Sequence, residues 1–308
     1  MSLAPMSEVL ESNPPGSIAN DPVRLALPKG RMQAAVLGLL ADAGVQINLG
    51  GRAYRPRLAL AGFDAKLLKP QNTVEMLKAG SRDLGFAGAD WVAELRADLV
   101  QVLNTGLDPV RLVVAAPAEL LREGQLPKSP DLAPLRIASE YEQLTRRWIE
   151  RNEIRANYVR AYGATEVFPP EDADAIVDNT ATGATLEANG LVICGEVMRS
   201  STGLFASQQA MQDPRKRSRI EHLALLLNSV LEARRRVLLE VNVDAEFLPQ
   251  VVSSLPCMRE PTVASLAGGK AFAVKSAVPR ADVAELVPRL KAAGGADIII
   301  SPLSQIVP

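Results

Sequence analysis

Histidine is nearly absent from this chain: there is one, His222, in 308 residues. It lies in IEHLALLLNSV, where the apolar spacing is helical, so a surface or helix-packing role is expected of it. A histidine-based triad or metal site is therefore not expected. Cysteine is almost as scarce. Cys194 and Cys257 are far apart and neither belongs to a CxxC pair, which argues against zinc and against a disulfide framework. Two reduced thiols fit a cytoplasmic protein. No run approaches the roughly 18 apolar residues that span a bilayer. Residues 1–22 lack the basic and apolar regions of a signal peptide and are expected to form a disordered or loosely attached arm. Neither sign of charge is in excess. At a net charge of -1 the chain is no general trap for nucleic acid or an anionic membrane, so any anion site must come from local clustering.

What is present is an ordinary globular balance, 47% hydrophobic and 22% charged, with enough apolar material for two or three cores. A first series holds strands at 24–28, 84–88 and 110–117 and helices at 32–43, 71–79 and 90–96. The stretch 118–134, with Pro127, Pro130 and Pro134, marks a lobe boundary. A second series holds strands at 136–139, 157–162, 173–178, 191–193 and 203–206, helices at 141–152 and 182–188, and a long helix at 214–235. Such alternation predicts mainly parallel sheets covered on both faces, in two α/β lobes around a cleft. Lobe I is expected over 23–117, completed by about 200–234, and lobe II over 118–199. Residues 235–308 differ. Their strands at 236–243, 262–267, 271–279 and 296–302 and helices at 245–255 and 281–293 give β-α-β-β-α-β, the ferredoxin-like order. Gly268-Gly269 supplies the hairpin turn.

Four segments carry chemistry. In residues 174–186 an apolar strand ends at Asp178 and a loop of small residues opens a helix. Gly183 lets backbone approach an anion, helix N–H groups and the Thr182 and Thr185 hydroxyls point at it, and the dipole favours a monoester phosphate. Asp174 and Asp178 are four apart and are expected on one face, where they would accept ribose hydroxyls or hold Mg²⁺. An ordinary strand, cap and helix start is the competing reading. In Leu27-Pro28-Lys29-Gly30-Arg31, two cations stand at a strand's carboxyl end, where ligands collect in open α/β sheets. Arg52, Arg55, Arg57, Lys66 and Lys69 follow, opposed by Asp42 and Asp64, which makes this region basic in a nearly neutral chain. In 80–90, Gly88 could admit a purine or ribose, with Asp90 capping the next helix. In 136–147, RIASEYEQLTRR, the strand-to-helix turn could carry ligand contacts, and Arg146-Arg147 reads as a solvated face.

Together LALPKGR, DLGFAGADW, RIASEYEQLTRR and ADAIVDNTATGATLEANGL resemble the ATP phosphoribosyltransferases in order and spacing, and PCMREPTVASLA and PRLKAAGGADIIISPL resemble their C-terminal regulatory module. The resemblance covers about residues 23–306. It implies a two-lobed periplasmic-binding-protein-like catalytic part followed by a ferredoxin-like (ACT-like) βαββαβ domain, the long form of the family. It also implies transfer of a phosphoribosyl group from phosphoribosyl pyrophosphate to N1 of ATP, the first step of L-histidine biosynthesis. Asp174, Asp178 and Glu166 are then catalytic candidates. Asp178, Thr182, Gly183, Ala184, Thr185 and Leu186 would hold phosphoribosyl pyrophosphate. Lys29, Gly30, Arg31, Gly88, Ala89 and Asp90 would hold ATP or pyrophosphate. Mg²⁺ would come on the substrate phosphates, with Asp174 or Asp178 as protein ligands. Histidine feedback inhibition at Glu240 and Thr262 is implied, with a homo-hexamer in equilibrium with dimers. The chain departs from the family's usual pattern at Glu142, where proline is usual, at Asn179, where an apolar residue is usual, and in the shorter, more acidic loop 168–172. The rival readings are a solute-binding protein of the same architecture and an inactive regulatory subunit. The absent signal peptide and added domain oppose the first; the intact TGATL loop opposes the second.

Overall fold

A computed structural model describes residues 21–50, 54–128 and 133–307. Arg52, Pro130 and nearly all of the expected N-terminal arm lie outside the described residues. The first lobe opens with the buried strand β1 (Val23–Pro28) and helix α1 (Gln33–Asp42), which ends at Gly44 in the left-handed region. A hairpin of β2 (Ile47–Asn48) and β3 (Arg57–Leu58) leads to β4 (Phe63–Leu68). Helix α2 (Pro70–Lys78) starts on a proline, whose missing N–H costs nothing in a first turn. Then come β5 (Leu84–Gly88), α3 (Ala89–Glu94) and the long β6 (Leu99–Pro117). The second lobe has β7 (Leu135–Ser139), α4 (Glu142–Arg151), β8 (Ala156–Arg160), β9 (Ala175–Thr180) and α5 (Ala184–Ala188). Strand β10 (Leu191–Ser207) returns, and α6 (Gln208–Gln212) and α7 (Pro214–Arg235) follow.

Both lobes share one eight-stranded sheet, ordered β4-β1-β5-β10-β6-β9-β7-β8. Within each lobe the pairing is parallel, β1 with β4 and β5, β7 with β8 and β9. At the centre β6 and β10 run antiparallel to each other through both lobes. The first half of β6 pairs only with the end of β10, and its residues Arg111–Ala115 pair also with β9. The chain therefore passes between lobes near residues 104–110, ahead of the proline-bearing stretch at 118–134. The separate strands expected at 191–193 and 203–206 are the two ends of β10. Register shifts at Ile193/Gly195, Glu196/Met198 and Ser200/Thr202 interrupt its apolar alternation, which hides the continuity.

Lobe I packs Leu25, Leu27, Leu39 and Phe86 against Ile220, Leu223 and Leu227 of α7, so the long helix belongs to lobe I. Lobe II packs Leu112, Val114, Ile137 and Val177. The C-terminal domain comprises β11 (Arg236–Asp244), α8 (Leu248–Ser254), β12 (Thr262–Ser265), β13 (Ala271–Pro279), α9 (Val283–Ala292) and β14 (Gly295–Pro302). Its sheet order β12-β13-β11-β14, antiparallel throughout, is that of the ferredoxin-like fold. Odd residues of β11 (Val237, Leu239, Val241, Val243) face the two helices.

The two lobes repeat one device. In lobe I the Arg24 guanidinium and N–H donate to Asp83 at 2.7–2.9 Å, and the Asp83 N–H donates back to the Arg24 carbonyl. In lobe II the Arg136 N–H donates to Asp174 at 2.6 Å, its guanidinium lies 3.1 Å from the other oxygen, and the Asp174 N–H donates to the Arg136 carbonyl. Each aspartate stands just before a strand, β5 or β9, and locks it to the first strand of its lobe. Burial raises the Asp83 and Asp174 pKa values. Hydrogen bonds and charge from Arg24 and Arg136, with Lys216 adding to Asp83, more than offset this and hold both below the ordinary range.

Candidate active site

The carboxyl ends of β1, β5, β7 and β9 open on the cleft between the lobes. At the end of β9 the Thr180 hydroxyl accepts the Gly183 N–H at 2.8 Å and the Thr182 hydroxyl accepts the Ala184 N–H at 3.3 Å. Gly183, at φ +91°, sits in the left-handed region that a side chain resists. The loop residues Thr182, Ala184 and Thr185 are exposed, and Leu186 is buried against Val113, Ile176 and Leu191. Of the residues expected to hold a phosphate, Leu186 thus anchors the loop while the others face outward.

Asp178 stands at the head of this loop. One of its oxygens accepts the Thr165 hydroxyl and the other the Asn179 N–H at 2.6 Å. Burial pushes its carboxyl up, and the Glu166 charge adds to this, while its hydrogen bonds and the charge of Arg31 oppose it. Glu140, directly after β7, is likewise pushed up by burial and by Asp178, and opposed by Lys69 and Arg160. Asp178, Glu140 and Glu166 therefore form an acidic floor rimmed by Arg31, Lys69 and Arg160. Glu166 comes near Asp178, whose carboxylate its neighbour Thr165 bonds. Glu140 was not singled out from the sequence; its place immediately after a strand, as with Lys29 after β1, was the available signal. Asp174 is not brought to this floor. It lies before β9, about 13 Å along the strand from Asp178 at some 3.3 Å per residue, and Arg136 occupies its carboxylate. The expected shared face is real, but the shared site is not.

Across the cleft, Gly30 at φ +91° turns the chain after β1. The Lys29 ammonium lies 4.7 Å over the Tyr54 ring. Arg55 and Arg82 approach Asp64 at 3.8 and 3.6 Å. A cavity of about 170 Å³ lies between the lobes, lined in part by Lys29, Arg31, Gly88, Asp90, Tyr141 and Asn179. Asp90 does not cap α3, whose N-cap is Gly88. Its buried carboxylate accepts the Ser200 and Tyr141 hydroxyls, each at 2.7 Å. A Cβ on Gly88 would lie 2.1 Å from that carboxylate, so glycine is required there by Asp90 itself. Ala89, half-buried, begins the helix.

The same contacts hold the lobes together. The Tyr141 ring packs on Trp91 with centroids 4.6 Å apart. Glu94 of α3 accepts the N–H groups of Gln143 and Leu144 at 3.0 and 2.9 Å and so caps α4 of the other lobe. Burial, then the Asp90 charge, drives the Tyr141 hydroxyl far above its ordinary pKa, so it remains a donor. Glu142, at the family's usual proline, pairs with Arg146 and Arg160 at 2.9 Å.

Among the described residues no group of three or more His, Cys, Asp or Glu is arranged to hold a metal ion. Asp178 and Glu140 are both raised by burial, and the Asp178 charge raises Glu140 further, so the pair nevertheless suits a cation that arrives on a phosphate, whose charge favours their ionised forms. In the C-terminal domain, Glu240 and Thr262 lie on either side of Lys275 in register, and the Lys275 ammonium is 3.0 Å from Glu240.

A family model described as ATP phosphoribosyltransferase matches residues 69–229, and one described as HisG, C-terminal domain, matches residues 233–305. An ATP phosphoribosyltransferase of Pelotomaculum thermopropionicum is 35% identical over 291 residues, covering 93% of this chain and 99% of that protein. One from Chlorobium luteolum is 34% identical over 294 residues, covering 94% and 99%. Among solved structures, the ATP phosphoribosyl transferase (HisG:HisZ) complex from Thermotoga maritima matches with a TM-score of 0.59 at 25% identity, covering 69% of this chain and 98% of that one. The chain belongs to the ATP phosphoribosyltransferase family, in the form that carries the C-terminal domain.

Proposed function

We propose that the interlobe cleft joins N1 of the ATP adenine to C1 of phosphoribosyl pyrophosphate, giving phosphoribosyl-ATP and pyrophosphate, the first step of L-histidine biosynthesis. One observation carries the assignment of parts. The loop that follows β9 opens on the same interlobe cavity as the cationic end of β1, which Lys29 and Arg31 line together with Asn179, the neighbour of Asp178. Residues 182–185 hold the 5-phosphate through N–H groups and hydroxyls. Asp178, fixed by Thr165, accepts the ribose hydroxyls. Lys29, Gly30 and Arg31 take the pyrophosphate and the nucleotide phosphates.

The adenine N1 lone pair is free at neutral pH, so attack needs no strong base. The C1–O bond breaks with its electron pair leaving on pyrophosphate as the N1–C1 bond forms. Positive charge that develops on the ribose is stabilised by Asp178, Glu140 and Glu166. Holding two polyanions in line supplies the remainder. Mg²⁺, the divalent metal of this reading, would be held by Asp178 and Glu140 beside the substrate phosphates and would neutralise the departing pyrophosphate. Incubating the protein with ATP, phosphoribosyl pyrophosphate and Mg²⁺ should yield phosphoribosyl-ATP; no product would sink the reading.

Catalysis on this plan needs Asp178 ionised, so kcat/KM falls on the acid side with an apparent pKa above that of a free aspartate. Glu166→Gln removes a negative charge that raises the Asp178 pKa, so the acid limb moves to lower pH. A pH profile of kcat/KM checks this, and an unmoved limb counts against Asp178.

The C-terminal domain takes L-histidine as an inhibitor, its ammonium on Glu240 and its carboxylate on Lys275 beside Thr262. Glu240→Gln should keep turnover and raise the histidine concentration for half-inhibition at least about tenfold, the equivalent of one lost charge-assisted bond. Equal inhibition of both proteins would rule the site out. The reaction is cytoplasmic, and the chain works as a homo-oligomer, a hexamer exchanging with dimers. The exposed Val263, Ile299 and Ile300 on the C-terminal sheet support such assembly.

A further inference from the structure

We infer that Asn179 is a positioning residue that ties the sugar carboxylate Asp178 to the interlobe latch, so that filling one half of the cleft tightens the other. The inference rests on the reading of 178–186 as the sugar-phosphate site.

The Asn179 side-chain amide has two hydrogens and both are used. The amide donates to the Tyr141 hydroxyl oxygen at 3.1 Å and to Asp178 Oδ1 at 3.4 Å. Tyr141, the residue that opens α4, accepts that bond and donates its own proton to Asp90 Oδ2 at 2.7 Å. The other Asp90 oxygen takes the Ser200 hydroxyl at 2.7 Å, and the Asp90 N–H returns to the Ser200 oxygen at 3.0 Å. Donor and acceptor roles are fixed along the whole chain, because carboxylates only accept and the amide nitrogen only donates.

This chain crosses the molecule. Ser200 belongs to the strand that joins the lobes, Asp90 to lobe I, and Tyr141, Asn179 and Asp178 to lobe II. Tyr141, Asp90 and Ser200 are buried, whereas Asp178 and Asn179 are partly open to the cleft. Gly88, Asp90, Tyr141, Asn179 and Ser200 all line the interlobe cavity. Asp178 lies at its sugar side, with Asn179 the only described residue bonded to both Asp178 and the latch. A sugar hydroxyl drawing on Asp178 therefore acts through one amide on Tyr141, which bonds Asp90 and packs on Trp91 of the other lobe. Linkage then requires the nucleotide side to feel the sugar side by the same factor in both directions.

Ribose 5-phosphate lacks the leaving group and cannot react, so it reports this coupling with ATP by calorimetry. In the wild-type protein, saturating ribose 5-phosphate should lower the ATP Kd by about tenfold, within the usual range of such couplings. Asn179→Leu, nearly the same size, should bring that ratio, taken within the variant whatever its own ATP Kd, to about one. Tyr141→Phe should also abolish the ratio, and the double variant should show no further change. A ratio preserved in Asn179→Leu, or absent from the wild type, overturns the inference. Asp178→Ala keeps the two ideas apart. If it leaves ribose 5-phosphate binding unchanged, the site reading itself falls and the inference with it. If it weakens that binding while Asn179→Leu keeps the ratio, only the coupling is wrong.

Discussion

Gly183→Val should lower kcat/KM on the order of a thousandfold without unfolding the protein. Space is no obstacle, since the nearest atom to a Cβ there is Ile193 Cδ1 at 3.4 Å. The obstacle is the backbone. A left-handed conformation costs an ordinary side chain roughly 1–2 kcal/mol, and a β-branched one resists it further. The loop relieves this by rotating the peptides on either side of 183, which turns the N–H groups of the following residues away from the 5-phosphate. Losing such a backbone donor in an oxyanion-type site costs roughly 3–4 kcal/mol, which sets the expected factor. Gly190 provides the control. It too is left-handed, at φ +72°, with open space around it, but it follows α5 instead of preceding it. Gly190→Ala should carry a similar strain and leave kcat/KM within about twofold. Steady-state kinetics of the two variants decide between a phosphate loop and a mere turn; unimpaired catalysis by Gly183→Val would refute the loop.

The second large effect is on stability. Asp83→Ala should destabilise the protein by roughly 3 kcal/mol, the low end for breaking a buried ion pair. The Asp83 side chain is 4% exposed and receives both Arg24 and Lys216, the latter 3.3 Å away and 10% exposed. Removing it leaves a nearly buried ammonium whose remaining ionic partner among the described residues is Asp21, at 2.7 Å on the surface. Asp174→Ala breaks the matching pair in lobe II, where Arg136 is 43% and Asp174 29% exposed, so water replaces much of what is lost. Its effect on stability should be clearly smaller, and kcat should stay within about twofold, as suits a strand lock outside the cleft. Urea unfolding separates the two. The sign with pH follows from the depressed Asp83 pKa. Its contribution is fully present above about 3.9, the unfolded value, and disappears as pH falls through the lower folded one. The gap between wild type and Asp83→Ala should therefore close in acid. Large loss of kcat in Asp174→Ala would return that residue to the active site.

These results bear on what the sequence made legible. The C-terminal domain could be read nearly element for element, because β11 alternates cleanly and its hairpin turns on Gly268-Gly269. The lobes were legible as alternating strands and helices, and residues 180–186 as a loop of small residues that opens a helix. Three features were hidden for separate reasons. The continuity of β6 and β10 was masked by bulges, which break the period of two. Asp174 looked like a partner of Asp178 because spacing gives the face of a strand but not which end meets the ligand. Asp90 looked like a helix cap, yet its acceptors are taken by Ser200 and Tyr141, residues 110 and 51 positions away. Contacts between lobes have no local signature.

The paired strands β6 and β10 have a mechanical consequence. Lobes strung on loops can swing freely, but lobes strung on an antiparallel ribbon can part only by twisting it. Between the lobes the register of the ribbon slips at Ser200 and Thr202, opposite residues 107–110. There Thr202 donates to Asp108 at 3.1 Å and accepts the Thr105 hydroxyl at 2.6 Å. Helix α7 is packed on lobe I and runs directly into β11, so the C-terminal domain is attached through that lobe. A change in the angle between the lobes has to be absorbed within β6 and β10, the two strands that run through both.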